Sequence, residues 1–421
     1  MSNVFYQEIF EQKGKHAPEI NLLLYCARTH LDPRVEAAIQ DLLQRPLDWP
    51  FLIETAICHG VAGLLYQNLQ KVGSTRVPDA VLKQLLLYFQ QTTLESMKLT
   101  KALLQVQSLF AEQAIPVIPF KGTLLSTVLY RNLGVRKTSD LDLLVPPQYF
   151  QQAIDLLMRS GYTAKRDWTF LDPNREAAYI NAWHEYSLIN GAINIDLHQA
   201  LTPDYFLSKE PSFEQLWQNR QPTPLADQPV WSFGSEDLLI YLTIHGSKEC
   251  WRALKWICDI AEFVQTYPET NWSRVITKAQ ALGSERMLLI GFRLAQMLLS
   301  LTVPPEIQHR IAADSVSIAI SNELALNLFS PDSQLSNDFS LRKTGLHFRM
   351  MQTMGDRLNC LNYLKEPIRR TLTIFFPNNR DGDFLSLPLR FHFLYYLLRP
   401  FRLILTRWPS FKGSWEKLFL S

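Results

Sequence analysis

Asp140 and Asp142 are the residues of this chain best suited to chemistry. They lie two apart in Ser139-Asp140-Leu141-Asp142-Leu143-Leu144-Val145, an apolar run that reads as a β-strand. Side chains on a strand alternate faces, so the two carboxylates point one way while Leu141 and Leu143 point into packing. Two anions held side by side repel each other unless a cation lies between them. Magnesium takes one or two carboxylates of this kind and completes its shell with water and substrate phosphates. The pair therefore suggests metal-assisted chemistry on a phosphorylated substrate. The plainer alternative is a solvated strand end, and the neighbouring residues bear on the choice.

Upstream, residues 114–120 read as a buried strand, Lys121-Gly122-Thr123 as a turn, and residues 124–130 as a short helix. Strand, glycine turn and helix N-terminus make a usable anion site, because backbone N–H groups and the helix dipole face the ligand and Lys121 adds charge. An ordinary strand-to-helix turn, with Gly122 supplying backbone freedom, is the alternative. Arg136, Lys137 and Ser139 then lead into the acidic strand, where a triphosphate would need cations. Downstream, residues 184–189 and 192–198 flank Asn190-Gly191, a strong hairpin signal. Asp196 lies near the far end of the second strand. If that strand pairs beside the Asp140–Asp142 strand, three carboxylates converge, as two-metal phosphoryl chemistry requires.

Lys121-Gly122, then Tyr130, Gly134 and Arg136, then the Ser139–Val145 run, then Asp196-Leu197-His198 together resemble the uncharacterised nucleotidyltransferase family of the DNA polymerase β-like superfamily. The resemblance extends over roughly residues 45–265. It takes in Ala56–Tyr66 of a helical lead-in and, further on, His245-Gly246-Ser247-Lys248 through Leu254–Ala261. It implies an α+β fold, a small mixed β-sheet with flanking helical segments. It also implies a pair of Mg²⁺ ions on Asp140, Asp142 and Asp196, and transfer of a nucleoside monophosphate from an NTP to an acceptor. Lys121, Gly122, Thr123, Arg136, Ser139 and Lys248 are the expected nucleotide-binding residues, with ATP the donor by family habit and the acceptor unnamed. Two departures stand out: Gly122-Thr123 replaces the usual Gly-Ser, keeping a hydroxyl, and the stretch from Gly122 to Asp140 is longer than in compact members.

Other residues have plainer readings beside functional ones. His198 shares a face with Asp196 and is either a base, an acceptor-orienting group or a hydrogen-bonded strand histidine. His245 and Lys248 lie one helical turn apart; Lys248 or Arg252 could reach phosphate while His245 packs. Lys255 and Asp259, four apart, read as a surface ion pair of little worth, while the resemblance raises His245, Lys248 and Asp259 somewhat above such plain readings. His59 and Tyr66 read as packing residues.

At 421 residues the chain is long enough for two or three units. Apolar residues make up 47% and charged residues 19%, which argues for a large core and against extensive disorder. Five cysteines in no metal-ligating spacing, mostly among apolar neighbours, read as buried thiols of a reducing compartment. Residues 1–15 show no apolar run ahead of their charges, and no apolar stretch reaches the ~18 residues of a membrane span, so a cytoplasmic protein is expected.

The expected organisation is a helical segment over 1–110, an α/β core with a Pro- and Gln-rich connector over 111–235, and a helical segment over 236–335. A basic, aromatic-rich segment occupies 336–421. A strand is expected within 162–171, an amphipathic helix over 149–160, four helices between 237 and 301, and a boundary at 331–338. From residue 342 onward there are 14 basic and 5 acidic residues, leaving 28 basic and 35 acidic before it. Residues 387–408, basic and aromatic without an acid and broken by Pro400, read as an ordinary buried helix with its Arg side chains reaching solvent, or as a peripheral membrane or protein-docking helix. No nucleic-acid reader motif accompanies the charge. A non-catalytic, antitoxin-like NTP-binding module and a docking protein acting through its tail are the rival functions.

Overall fold

Asp32-Pro33 starts a helix as its residue types dictate. The Asp32 carboxylate accepts from the backbone N–H groups of Arg34 and Val35 at 2.8 and 3.0 Å, and Pro33 occupies a first-turn position that needs no donor. The computed structural model describes residues 16–73, 75–165, 180–226, 228–330, 341–362, 385, 389–399 and 402. Five helices open it: α1 (Ala17–Cys26), α2 (Pro33–Leu42), α3 (Trp49–Cys58), α4 (Ala62–Gly73) and α5 (Asp79–Glu112).

The α/β portion runs β1 (Ile118–Pro119), α6 (Thr123–Tyr130), β2 (Leu141–Leu144), α7 (Phe150–Arg159), β3 (Thr163–Ala164), β4 (Glu185–Asn190) and β5 (Ile193–His198). The five strands form one mixed sheet in the order β1-β2-β5-β4-β3, with only the β2–β5 pairing parallel. The hairpin turn is Gly191-Ala192, since Asn190 pairs with Ile193, one residue later than Asn190-Gly191. The expected strand within 162–171 appears as β3; residues 166–171 lie outside the described residues.

Alternation along the strands gives the sheet an apolar face and a polar one. Leu141, Leu143, Leu188, Ile195 and Leu197 pack with Leu103 and Phe110 of α5 and with Ile154 and Leu157 of α7 in one core. Burying each such side chain contributes roughly 1.5–3 kcal/mol, so the register of the sheet is strongly held. The opposite face carries the polar residues and looks toward the helices that follow.

Residues 201–235, expected as a connector, hold α8 (Phe213–Gln218) and a separate two-stranded ribbon, β6 (Gln221–Leu225) with β7 (Gln228–Ser232). Pro222, Pro224 and Pro229 fall on its exposed positions while Thr223, Leu225 and Val230 are buried, which a free-standing ribbon tolerates and a central strand would not. The helical portion continues with α9 (Ser235–Lys248), α10 (Leu254–Thr266), α11 (Trp272–Ala281) and α12 (Glu285–Leu299). These match the four expected helices. Then come α13 (Pro305–Ala313), α14 (Ser315–Asn327), α15 (Leu341–Met350) and α16 (Met354–Asn362). A second apolar core joins helices from before and after the sheet, with Leu22, Leu65, Ile257, Phe263 and Phe292 among its fully enclosed members.

Among the described residues no helix is long and apolar enough to cross a membrane. The expected boundary at 331–338 and the break at Pro400 lie outside the described residues. Of the basic aromatic stretch, Tyr395, Arg399 and Arg402 are buried while Phe393, Tyr396 and Leu397 are exposed.

Candidate active site

The parallel pairing of β2 and β5 sets Asp142 directly opposite Asp196 and Leu144 opposite His198. The antiparallel pairing of β4 and β5 sets Ser187 opposite Asp196 and Glu185 opposite His198. Asp140 precedes β2 by one residue and lies two before Asp142. The sheet thus gathers four carboxylates and an imidazole on its polar face. Three of these acids, Asp140, Asp142 and Asp196, are those singled out by their spacing. Glu185 is not among the residues expected at the site.

Lys121, at the end of the turn after β1, reaches across to this face. Its Nζ donates to Asp142 Oδ1 at 2.8 Å, and His198 Nε2 donates to the same oxygen at 3.2 Å. Burial alone would favour a neutral Asp142, but the charge of Lys121 and the contact with His198 hold its carboxyl well below the usual range. Burial likewise works against the charge on Lys121, and Asp142 more than compensates, raising its pKa. The ammonium also faces the rings of Phe120 and Tyr241, 5.3 and 5.5 Å from their centroids.

Among the described residues neither neighbouring acid has an ion pair of its own, and Lys121 only partly offsets the rise at Asp140. Burial, together with the charges of Asp142 and Asp196, pushes Asp140 up from 3.8 to about 6, while the Ser139 hydroxyl bonds it and offsets part of the rise. Burial and the nearby Glu185 and Asp142 raise Asp196 as well. Its Oδ1 is buried without a hydrogen-bond partner.

The turn after Lys121 is shaped by Gly122. Its φ of +67° disfavours any residue with a Cβ, and a Cβ there would stand 3.1 Å from the carbonyl oxygen of Asp140 and 3.2 Å from Thr138. Gly122 therefore brings the N-terminus of α6 against the start of the acidic strand. Thr123 opens that helix fully buried, and its Oγ1 has no partner; neither does the Oγ1 of Thr138.

The first helix after the ribbon brings His245 and Lys248 toward this face. His245 and Lys248 of α9 feel the charges of Lys121 and Asp142, and burial, then Lys121, depresses His245 far below its ordinary value. Burial lowers Lys248 too, while Glu249, 3.8 Å away, counters the shift. Arg252 bonds Glu249.

Arg136 is placed differently from its expected role beside a triphosphate. Its Nε and one terminal nitrogen donate to the two carboxylate oxygens of Asp259 at 2.8 and 2.9 Å, and Tyr130 donates to the same carboxylate at 2.7 Å. Asp259 is only 1% exposed, so the surface ion pair expected for Lys255 and Asp259 is not formed. Instead Asp259 ties α10 to the segment leading into β2. His59 is buried as expected, and it also accepts from the backbone of α10: Leu254 N at its Nδ1, 3.2 Å, and Lys255 N at its carbonyl, 3.1 Å.

Three converging carboxylates, an orphaned Asp196 oxygen and an Asp140 raised by burial and like charge are what a divalent cation would relieve, and hard oxygen donors suit Mg²⁺. Yet no trio of His, Cys, Asp or Glu side chains among the described residues is gathered into a ready-made cation site. The cation already seated on Asp142 is the ammonium of Lys121. The donor chemistry of the three carboxylates fits a hard divalent cation.

The chain belongs to the uncharacterised nucleotidyltransferase family, which it matches over residues 45–300, more than half its length. It is thus a member of a family of nucleotidyltransferases. A solved structure of the antibiotic-resistance factor ANT(2'')-Ia aligns at 12% identity with a TM-score of 0.31, over 44% of this chain and 91% of that one, a likeness too loose to carry an argument. No curated protein matches the chain.

Proposed function

We propose that the protein transfers a nucleoside monophosphate, AMP from ATP, to an acceptor hydroxyl. The observation that carries this is the Asp142–Asp196 register, which puts the third carboxylate beside the Asp140/Asp142 pair and opposite a phosphate-compatible turn at Lys121–Thr123. In the reaction the acceptor oxygen attacks the α-phosphorus in line. The bond from that phosphorus to the oxygen bridging the β-phosphate breaks, and pyrophosphate leaves. Asp196, raised above the usual carboxylate range, accepts the acceptor's proton. Lys121, the first-turn N–H groups of α6 and the hydroxyl of Thr123 hold phosphate oxygens, and Ser139 and Lys248 stand at the edges of the same site. Mg²⁺ held by Asp140, Asp142 and Asp196 would neutralise charge developing on the phosphoryl group.

The test is NTP binding with and without Mg²⁺, read as a thermal shift across the four NTPs, followed by pyrophosphate release. Metal-dependent stabilisation by one NTP, absent in Asp140→Ala/Asp142→Ala, is the expected result. Failure of a folded sample to bind any NTP would refute the proposal. A second function, NTP sensing without transfer, is favoured by one observation: Lys121 already occupies Asp142. It predicts NTP binding with no pyrophosphate released with any acceptor, and no dependence on Asp196.

A further inference from the structure

The cations expected around the acidic strand each already face a carboxylate. Lys121 is bonded to Asp142, Arg136 to Asp259, and Lys248 faces Glu249. Lys255 differs from all three. Among the described residues its ammonium has no carboxylate within ion-pair distance. It stands one helical turn before Asp259 on α10, on the face that meets Arg136 and Tyr130, and the charges of Arg136, Asp259, Asp140 and Lys121 all reach it. Burial, followed by the neighbouring Arg136, brings its pKa down from 10.5 to about 8. A cation so placed is costly unless an anion joins it.

The chain also makes specific room for this side chain. Gly60 has a φ of +70°, and a Cβ at that position would lie 2.7 Å from Lys255 Cδ. The preceding His59 fixes the backbone of Leu254 and Lys255 through its ring and its carbonyl. The His59-Gly60 turn of the N-terminal helices therefore holds both the backbone and the aliphatic stem of a lysine that lies 195 residues further on.

We infer that Lys255 is a substrate-binding residue, contributing from the helical portion a positive charge for the polyphosphate tail of the nucleoside triphosphate. This rests on the nucleotidyl-transfer function proposed above and adds a residue to it. It assigns to Lys255 the phosphate contact that chain proximity alone would give to Arg136, and it makes the polyphosphate site depend on the helical portion as well as on the sheet.

Titration calorimetry with ATP, AMP and inorganic tripolyphosphate at fixed Mg²⁺ tests the assignment. Loss of one charge-assisted contact corresponds to a weakening of about 10- to 100-fold. Lys255→Met should weaken ATP and tripolyphosphate by that factor and leave AMP within about twofold. Lys255→Arg should recover most of the affinity. Gly60→Ala, which alters no charge, should displace the lysine stem and weaken tripolyphosphate in the same sense. Thermal melts establish that each variant is folded. If wild-type protein binds ATP and folded Lys255→Met binds ATP and tripolyphosphate equally well, the role of Lys255 is overturned while nucleotide binding stands. If wild-type protein binds no NTP, the proposed function fails first and the role of Lys255 with it.

Discussion

Replacing Asp140 by Asn should make the protein more stable at neutral pH, although it removes a residue of the proposed metal site. Burial and the charges of Asp142 and Asp196 raise the Asp140 carboxyl from 3.8 to about 6 in the folded chain. The folded state therefore holds that proton more tightly than the unfolded one. Below about pH 3.8 the carboxyl is protonated in both states and costs nothing. As pH rises toward 6, the unfolded chain releases the proton first, and folding becomes progressively less favourable. Above pH 6 the cost is constant at about 3 kcal/mol, taking 1.36 kcal/mol for each tenfold in proton affinity. Asparagine has a similar shape and no charge to oppose. Asp140→Asn should thus gain up to about 3 kcal/mol over the parent at pH 7.5 and close to nothing at pH 3.5, with the midpoint of the change between these values. Loss of the Ser139 contact reduces the gain somewhat. Urea unfolding of both proteins at a series of pH values measures it. Adding Mg²⁺ at pH 7.5 should narrow the gap, since an ion bound to the parent relieves the same repulsion. A variant that is equally or less stable at pH 7.5, or whose advantage does not change with pH, would refute the placement of Asp140 in a buried site beside two other carboxylates.

The buried Arg136–Asp259 pair gives a second expectation: Arg136→Met or Asp259→Leu alone should cost about 3–5 kcal/mol by stranding the partner's charge, while the double variant should cost less than the sum of the two, measured as a double-mutant cycle in urea. Additive costs would mean the pair does not brace α10 against the lead into β2. Lys121→Met should destabilise by about 2–4 kcal/mol at pH 7, because Asp142 loses the cation that depresses its pKa. That cost should shrink as pH falls through the depressed range and Asp142 becomes protonated in both states, and it should shrink in Mg²⁺, if the ion can take the place of the ammonium. A thermal-shift titration with MgCl₂ decides the last point, and no Mg²⁺-dependent recovery would separate the lysine site from the metal site.

Much of the site follows from strand arithmetic. Alternation places Asp140 and Asp142 on one face and Asp196 on the matching face of its own strand, and the only long-range fact needed is that the two strands are neighbours. Glu185 was within reach of the same arithmetic: once Asn190 pairs with Ile193, Glu185 must oppose His198. Arg136 and Lys255 were not. Proximity along the chain joined Arg136 to the acidic strand, but its carboxylate partner lies 123 residues away. Lys255 and Asp259 have the spacing of a surface pair, and a local spacing says nothing about whether that helix face is covered. The helices were legible wherever a cap or an apolar stripe marked them. The ribbon of β6 and β7 was hidden by prolines that read as linker when their alternating burial is unknown.

The bond between His59 and the start of α10 spans 195 residues, and it sets an order of events during synthesis. At ribosomal rates of roughly 5–20 residues per second, the first helices wait about 10–40 s before α10 emerges to cover them. During that interval the apolar surfaces that later enclose Ile257 and Phe263 have no partner, so the nascent chain stays prone to aggregation until well past its mixed sheet. A chain broken off after β5 would carry every acid of the site and still lack the helices that enclose its N-terminal segment.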